Sequence, residues 1–222
     1  MVNNKHALWM ALVFTLIVFS LGLMSGFFFE SSRSDDLSLT AGKSEINLLD
    51  EQLRSRLIDN LDVGCSLALD TTFGFADEIY EEAVKLEEYD AANNFIGSLK
   101  DIHKRYDLLR MMLWIEASKI RKNCTSDFHI VVYFFDYDPQ DINIKAKQIT
   151  FGRMLTDLKN KYPNQILLIP VAANLDLASI ELVLDKYDIK EKPALVIDDE
   201  RVIRDVITFS ELENQVFQSN KE

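Results

Sequence analysis

The chain opens on an apolar run. From Ala7 to Phe29 it reads ALWMALVFTLIVFSLGLMSGFFF, 23 residues without a charge, and a bilayer core takes about 20 helical residues at 1.5 Å each. The run predicts a transmembrane helix over residues 7–29 behind a short tail, 1–6. It exceeds the signal-peptide apolar segment of about 7 to 15 residues and no Ala-x-Ala follows it, which favours a retained anchor over a cleaved leader. Residues 30–43, with SSRSDDLSLTAG at Ser31 to Gly42, are small, polar and acidic, the composition of a flexible linker.

Over residues 44–124 the period turns helical. Ile46, Leu49, Leu53, Leu57 and Leu61 recur at spacings of three and four, which predicts one amphipathic helix ending before Gly64. A second stretch, about Phe75 to Glu88, carries Ile79, Tyr80, Ala83, Val84 and Leu86. A third runs from Asp90, as N-cap, to about Lys122 through Phe95, Leu99, Ile102, Tyr106, Leu109, Leu113 and Ile120. The break EYDAA between the last two predicts an antiparallel helical hairpin, whose stripes are helix seams.

Residues 125–222 alternate strand and helix. HIVVYFF is a run of β-branched and aromatic residues that suits a strand buried on both faces. Asp138 as N-cap with Pro139 at the first helical position starts a helix through Ile149, Leu155 and Leu158 to about Tyr162. QILLIPVAA, LASIELVLDKYDI, ALVID, RVIRDVI and FSELENQVFQ then read as strand, helix, strand, strand and helix, with a turn at DDE. The order is βαβ followed by αββα. It predicts a mixed four-stranded sheet with helices on both faces, because a crossover demands parallel strands and a short turn demands antiparallel ones.

Charge narrows the partners. The chain of 222 residues has a formal charge of −12; Lys5 is the one charge in the first 29 residues, so the remainder holds 23 basic and 36 acidic residues. Nucleic acid is excluded as a partner, since its affinity rests on Lys and Arg displacing counterions. Basic residues near the span are almost balanced, Lys5 before it and Arg33 and Lys43 after it, so charge leaves the orientation open. The six-residue tail, an even count of two cysteines and the NCT sequon at Asn123 favour an extracytoplasmic bulk in a single-pass protein.

Candidate chemistry is sparse. Cys65 and Cys124 stand at opposite sequence ends of the expected hairpin, where they form either one disulfide or two buried thiols. Cys65 lies 25 residues before Asp90 and Cys124 lies 34 after it, an ideal-helix mismatch of about 13 Å that requires part of CSLALDTTFG to be extended. His6, His103 and His129 have no ligand spacing, which argues against zinc. Asp136, Asp138 and Asp141 form a D-x-D-x-x-D run that suits a hard cation or, with less demand on ligand number, a capped helix start. Gly22 and Gly26 form a GxxxG that permits helix contact and homo-oligomers. No phosphate loop, catalytic triad or paired catalytic carboxylates appear, so neither cofactor nor catalytic residue is assigned.

The order of elements, together with KYDIKEKPALVIDDERVIRDVITFSELENQV at Lys186 to Val216, resembles the thioredoxin superfamily over the last 95 residues. The resemblance places Pro193 at the family's cis-proline, beside its substrate channel, and so makes Lys192, Pro193 and Ala194 a peptide groove. Anchor, hairpin with a cysteine at each end, and C-terminal domain together look like membrane-tethered thioredoxin-like proteins of archaeal type. Active members carry Cys-x-x-Cys at the first turn of the helix after the first strand, where the helix end lowers a thiol pKa. Here those positions fall at DPQD or, counted from the helix end, at KAKQ, and no cysteine follows Cys124. The expectation is a non-catalytic, membrane-anchored binding or scaffolding module for a protein or peptide. The alternative is a redox protein that uses Cys65 and Cys124 as a dithiol/disulfide relay.

Overall fold

The structure is a computed structural model that describes residues 4–60, 63–92, 97–124 and 127–217. The chain divides into two units, Met1–Ile46 and Asn47–Glu222. In the first, Leu8–Phe28 supplies 21 exposed helical residues, long and apolar enough to cross a bilayer. The stretch read as a linker, 30–43, is helical backbone inside α1 (Asn4–Asn60). It contains no proline, and Gly42 costs only about 1 kcal/mol relative to alanine in a helix interior.

The second unit contains the end of α1, α2 (Cys65–Ala92), α3 (Gly97–Asn123), β1 (His129–Phe135), α4 (Ile142–Lys161), β2 (Ile166–Ala172), α5 (Ala178–Lys186), β3 (Ala194–Ile197), β4 (Arg201–Ile203) and α6 (Phe209–Phe217). Along α3 the apolar period is the buried face: Ile102, Tyr106, Leu109, Leu113 and Ile120 are all at most 4 % exposed. On α2 the period splits, with Ile79 and Ala83 buried but Tyr80 and Val84 exposed.

Two local expectations fail. The helix of α2 continues unbroken through Gly74 and through EYDAA, so Asp90 lies inside it rather than at a helix start. Phe95 and Leu61 lie outside the described residues, as do the side chains of Ile46, Leu86 and Leu99. Because α2 and α3 have 28 and 27 residues, no extended segment is needed for their cysteines to meet. Cys65 and Cys124 are joined by a disulfide with Cα atoms 5.7 Å apart.

The end of α1 is turned opposite to its apolar stripe. Leu49, Leu53 and Leu57 are 60, 55 and 44 % exposed, whereas Glu51 is buried. The stripe loses to a charged cluster: Arg54 donates through Nε and Nη2 to Glu51 at 2.7 and 2.6 Å, and its Nη1 lies 2.8 Å from Glu116 Oε1 on α3. Thr72 of α2 donates to the same Glu116 oxygen at 3.4 Å, and the guanidinium covers the Phe75 ring at 5.1 Å. Two buried carboxylates thus share one guanidinium. Burial, reinforced by the charge of Glu51 and opposed by Arg54, pushes the Glu116 carboxyl up to about 7.

The sheet has the order β2-β1-β3-β4, with β1 parallel to β2 and antiparallel to β3, and β3 antiparallel to β4. Side chains alternate across β1. Val131 and Tyr133 pack with Leu195, Ile197, Phe151, Leu155, Leu158, Leu212 and Val216 between the sheet and α4 with α6. Phe134 faces the other layer, where its ring lies 6.0 Å from that of Trp114 on α3.

The β3–β4 turn binds that layer to the sheet. Asp198 and Asp199 both take left-handed φ values of 54° and 63°, which aspartate tolerates better than most residues. Buried Asp198 accepts from the Ile130 N–H at 2.9 Å, and its other oxygen lies 2.7 Å from His129 Nδ1 and 3.0 Å from Arg121 Nη2. Asp199 accepts from Trp114 Nε1 at 2.6 Å and Ser118 Oγ at 3.0 Å, and its carbonyl accepts from the Tyr187 hydroxyl at 3.2 Å.

Two outcomes follow from these helical contacts. Replacing both cysteines by alanine is expected to lower unfolding free energy by about 2 to 4 kcal/mol, as for a disulfide that closes a long loop; urea melts of the full chain that coincide with wild type would refute this. Glu116 ionises at 4.5 in the unfolded chain and about 7 in the folded one, so folding favours its protonated form. Its contribution is complete below pH 4.5 and is lost as pH rises through 7. The stability difference between wild type and Glu116→Gln should therefore shift against wild type across that window, and a pH-independent difference would contradict the assignment.

Candidate binding site at the carboxyl end of the first strand

β1 delivers the chain to Asp136, and two amide side chains take over where the ladder stops. Gln148 of α4 accepts from the Asp136 N–H at 3.1 Å and donates to the Asp136 carbonyl at 3.1 Å. Asn174, just beyond β2, does the same for Tyr137, at 2.6 and 3.0 Å. Each amide offers one acceptor and two donors, so it can stand in for a neighbouring strand. His103 of α3 lies against the Tyr137 ring with centroids 4.6 Å apart.

The helix start differs from the expected one. Asp138 has a left-handed φ of 48° and receives Gln140 Nε2 on its carbonyl and carboxylate at 3.1 and 3.3 Å. The cap is Asp141, whose extended backbone lets its carboxylate accept from the Asn143 N–H at 2.7 Å. Pro139 therefore sits in the loop and α4 begins at Ile142, which is 77 % exposed. Ile149, read as a core position, is half exposed, and Phe151, not singled out by the sequence pattern, is fully buried.

The three aspartates do not converge on a cation. Asp138 binds Gln140, Asp141 caps α4, and among the described residues no group of three His, Cys, Asp or Glu is placed to hold a metal. Asp136 turns toward Lys192, with 3.8 Å between its Oδ1 and Nζ; that buried oxygen has no hydrogen-bond partner.

Of the residues read as a peptide groove, only Lys192 reaches the surface. Ala194 pairs with Phe134 in the ladder, and both Pro193 and Ala194 are buried. The Lys192–Pro193 peptide is cis. The accessible face at this end is made by Lys192 with the Tyr137 to Ile142 segment, a surface that strand propensity alone does not reveal. The sequence reading missed a buried group on α3. Asp107 of α3, fully buried, accepts from Arg110 at 3.0 Å and from the Ala172 backbone; burial raises its carboxyl above the usual range despite the pull of Arg110. The Asp107/Arg110 spacing on the buried face of α3 was its signal in the sequence.

What the site offers is hydrogen bonding, charge and exposed apolar surface, with no sulfur. His103 touches the loop, whereas Cys124 lies 21 residues on, just past the end of the same helix, about 30 Å at helical rise. The disulfide is therefore remote from Asp136.

If the amides hold the loop, Gln148→Ala should abolish exchange protection of the Asp136 amide and Asn174→Ala that of Tyr137. The exposed Asn174 change should cost only about 1 kcal/mol of global stability. Hydrogen exchange read by NMR that leaves both amides as protected as in wild type would rule the clasp out.

No protein-family model matches the chain, and no curated protein sequence matches it. Among solved structures, it is similar to the germline-specific thioredoxin Deadhead from Drosophila melanogaster, with 15 % identity and a TM-score of 0.33. The likeness covers 48 % of this chain and 93 % of that one.

Proposed function

We propose that this is a single-pass, membrane-anchored thioredoxin-like module, displayed on the extracytoplasmic side, that binds a protein or peptide and performs no dithiol chemistry. The observation that carries the reading is the pairing of Lys192 with Asp136 at the end of β1, beside exposed Ile142 and without a thiol in the loop. The sheet order and its two antiparallel pairings support the frame. DPQD stands at the start of α4, where disulfide-exchanging members of that superfamily hold their cysteines. The N-terminal apolar helix serves as the anchor, α2 and α3 as a hairpin spacer, and Gly22 and Gly26 as a contact face for oligomers.

A second reading keeps Cys65 and Cys124 as a redox relay. It is favoured by their accessibility, since Cys65 is exposed and Cys124 partly so. The two readings separate in one experiment. Full-length protein is used to capture peptides from a displayed library, in wild-type form and with Lys192→Glu or Ile142→Asp. Binding should fall about tenfold or more in each variant, a loss of at least 1.4 kcal/mol, while mass spectrometry shows the disulfide intact in millimolar glutathione. Capture indifferent to both substitutions removes the site, and prompt reduction of the disulfide moves the function to the cysteines.

A further inference from the structure

The end of α1 is held on α2 and α3 by charge rather than by its leucines. Leu49, Leu53 and Leu57 face solvent, and the remaining apolar residues of the segment 48–58, Leu48 and Ile58, are only partly buried. The side chains that do enter the protein are Glu51, met from α3 by Glu116, each 1 % exposed, and Arg54, which contacts both. Docking of this segment therefore depends on how three ionisable groups balance.

One guanidinium against two ionised carboxylates leaves an uncompensated negative charge inside the protein, which is costly. One proton makes the cluster neutral. Its place follows from the hydrogen bonds. Both Glu51 oxygens accept from Arg54, and Glu116 Oε1 receives Arg54 and Thr72. Glu116 Oε2 is buried with no donor to it, and Glu51 lies within hydrogen-bonding reach of the Glu116 carboxyl. An ionised oxygen there is unpaired, whereas a hydroxyl there has an acceptor. The surroundings supply no second cation: α2 presents the neutral Thr71, Thr72 and Phe75 ring, and Lys119, one turn on along α3, lines a cavity instead.

We infer that Glu51 and Glu116 share one proton and form a latch, which holds the end of α1 on α2 and α3 while the proton is present and releases it when the proton passes to solvent. Both carboxylates then compete for Arg54, and no apolar seam holds the helix in place. Docked, Glu116 ionises at about 7; solvated, at 4.5. The docked state binds the proton more tightly, so docking is favoured at low pH and weakens as pH rises through 7. Release reaches beyond α1. Leu48 and Gln52 form one side of a cavity of about 550 Å³ between α3 and α5, walled on α3 by residues from Leu108 to Lys122. The latch thereby controls how open that cavity is.

The test uses the full chain in phosphatidylcholine nanodiscs, with nitroxide labels at Leu53→Cys on α1 and Glu81→Cys on α2, both exposed positions. The distance distribution from pulsed EPR should be narrow at pH 5.5 and gain a longer population above pH 7. The ratio of released to docked molecules should rise at least about tenfold between pH 5.5 and pH 8.5. Glu116→Gln keeps the shape and the donor without the charge, so it should stay docked at both pH values, and Glu51→Gln should do the same. A wild-type distribution that ignores pH, or glutamine variants that respond to pH as wild type does, would overturn the inference. So would near-UV circular dichroism that shows the whole domain losing its packing over the same range, because release would then not be confined to α1.

Discussion

Asp198 has its carboxylate inside the protein, where an ionised group is tolerated only with partners that replace water. It finds them on β1 and α3: the Ile130 amide, the His129 ring and the Arg121 guanidinium. Asp198 N–H donates back to the Ile130 carbonyl at 2.9 Å, so the carboxylate and backbone together extend the β1–β3 ladder past its last pair. The neighbouring Asp199 gathers Trp114, Ser118 and Lys122 from α3. One turn of two left-handed aspartates thereby fixes the register of the long helix against the sheet. Everything α3 positions depends on it, from His103 at one end to the lysines at the other.

The sheet was legible in the sequence because buried strands leave a simple mark. HIVVYFF has no polar residue between His129 and Phe135, and the observed β1 has those bounds. The α3 face was legible for the same reason. The end of α1 was not: Leu49, Leu53 and Leu57 look like a seam, yet the inward face carries Glu51 and Arg54. A period identifies a stripe but not the side that packs, and here the buried ion network around Arg54 takes the inward face while three leucines are left half exposed. α4 shows a second kind of ambiguity. Both Asp138-Pro139 and Asp141 fit a helix start; the left-handed φ at Asp138 settled the matter, and nothing in the residue types announces that angle.

The same helix start supplies its own carboxylate partner. A helix amino terminus concentrates unpaired N–H groups and a positive potential. In a dithiol protein that potential stabilises a thiolate; here the Asp141 carboxylate receives it through the Asn143 N–H. Gln148 and Asn174 close the backbone hydrogen bonds of Asp136 and Tyr137, so both residues are held by side chains of neighbouring elements. Lys192 and Ile142 stand at the surface of this region.

α3 links these features by its length. Its 27 residues extend about 40 Å, so it touches the loop after β1 through His103 near its start and forms the cavity wall through Trp114 to Lys122. A rigid helix of this kind transmits displacement along its axis better than bending. A ligand that pressed on Trp114 would act on Asp199 directly, because that carboxylate holds the indole. The route onward runs through the Asp198 contacts to the base of β1, the strand whose other end carries Asp136. The cavity and the loop are thus joined by two parallel supports, one helix and one strand, tied together at a single turn.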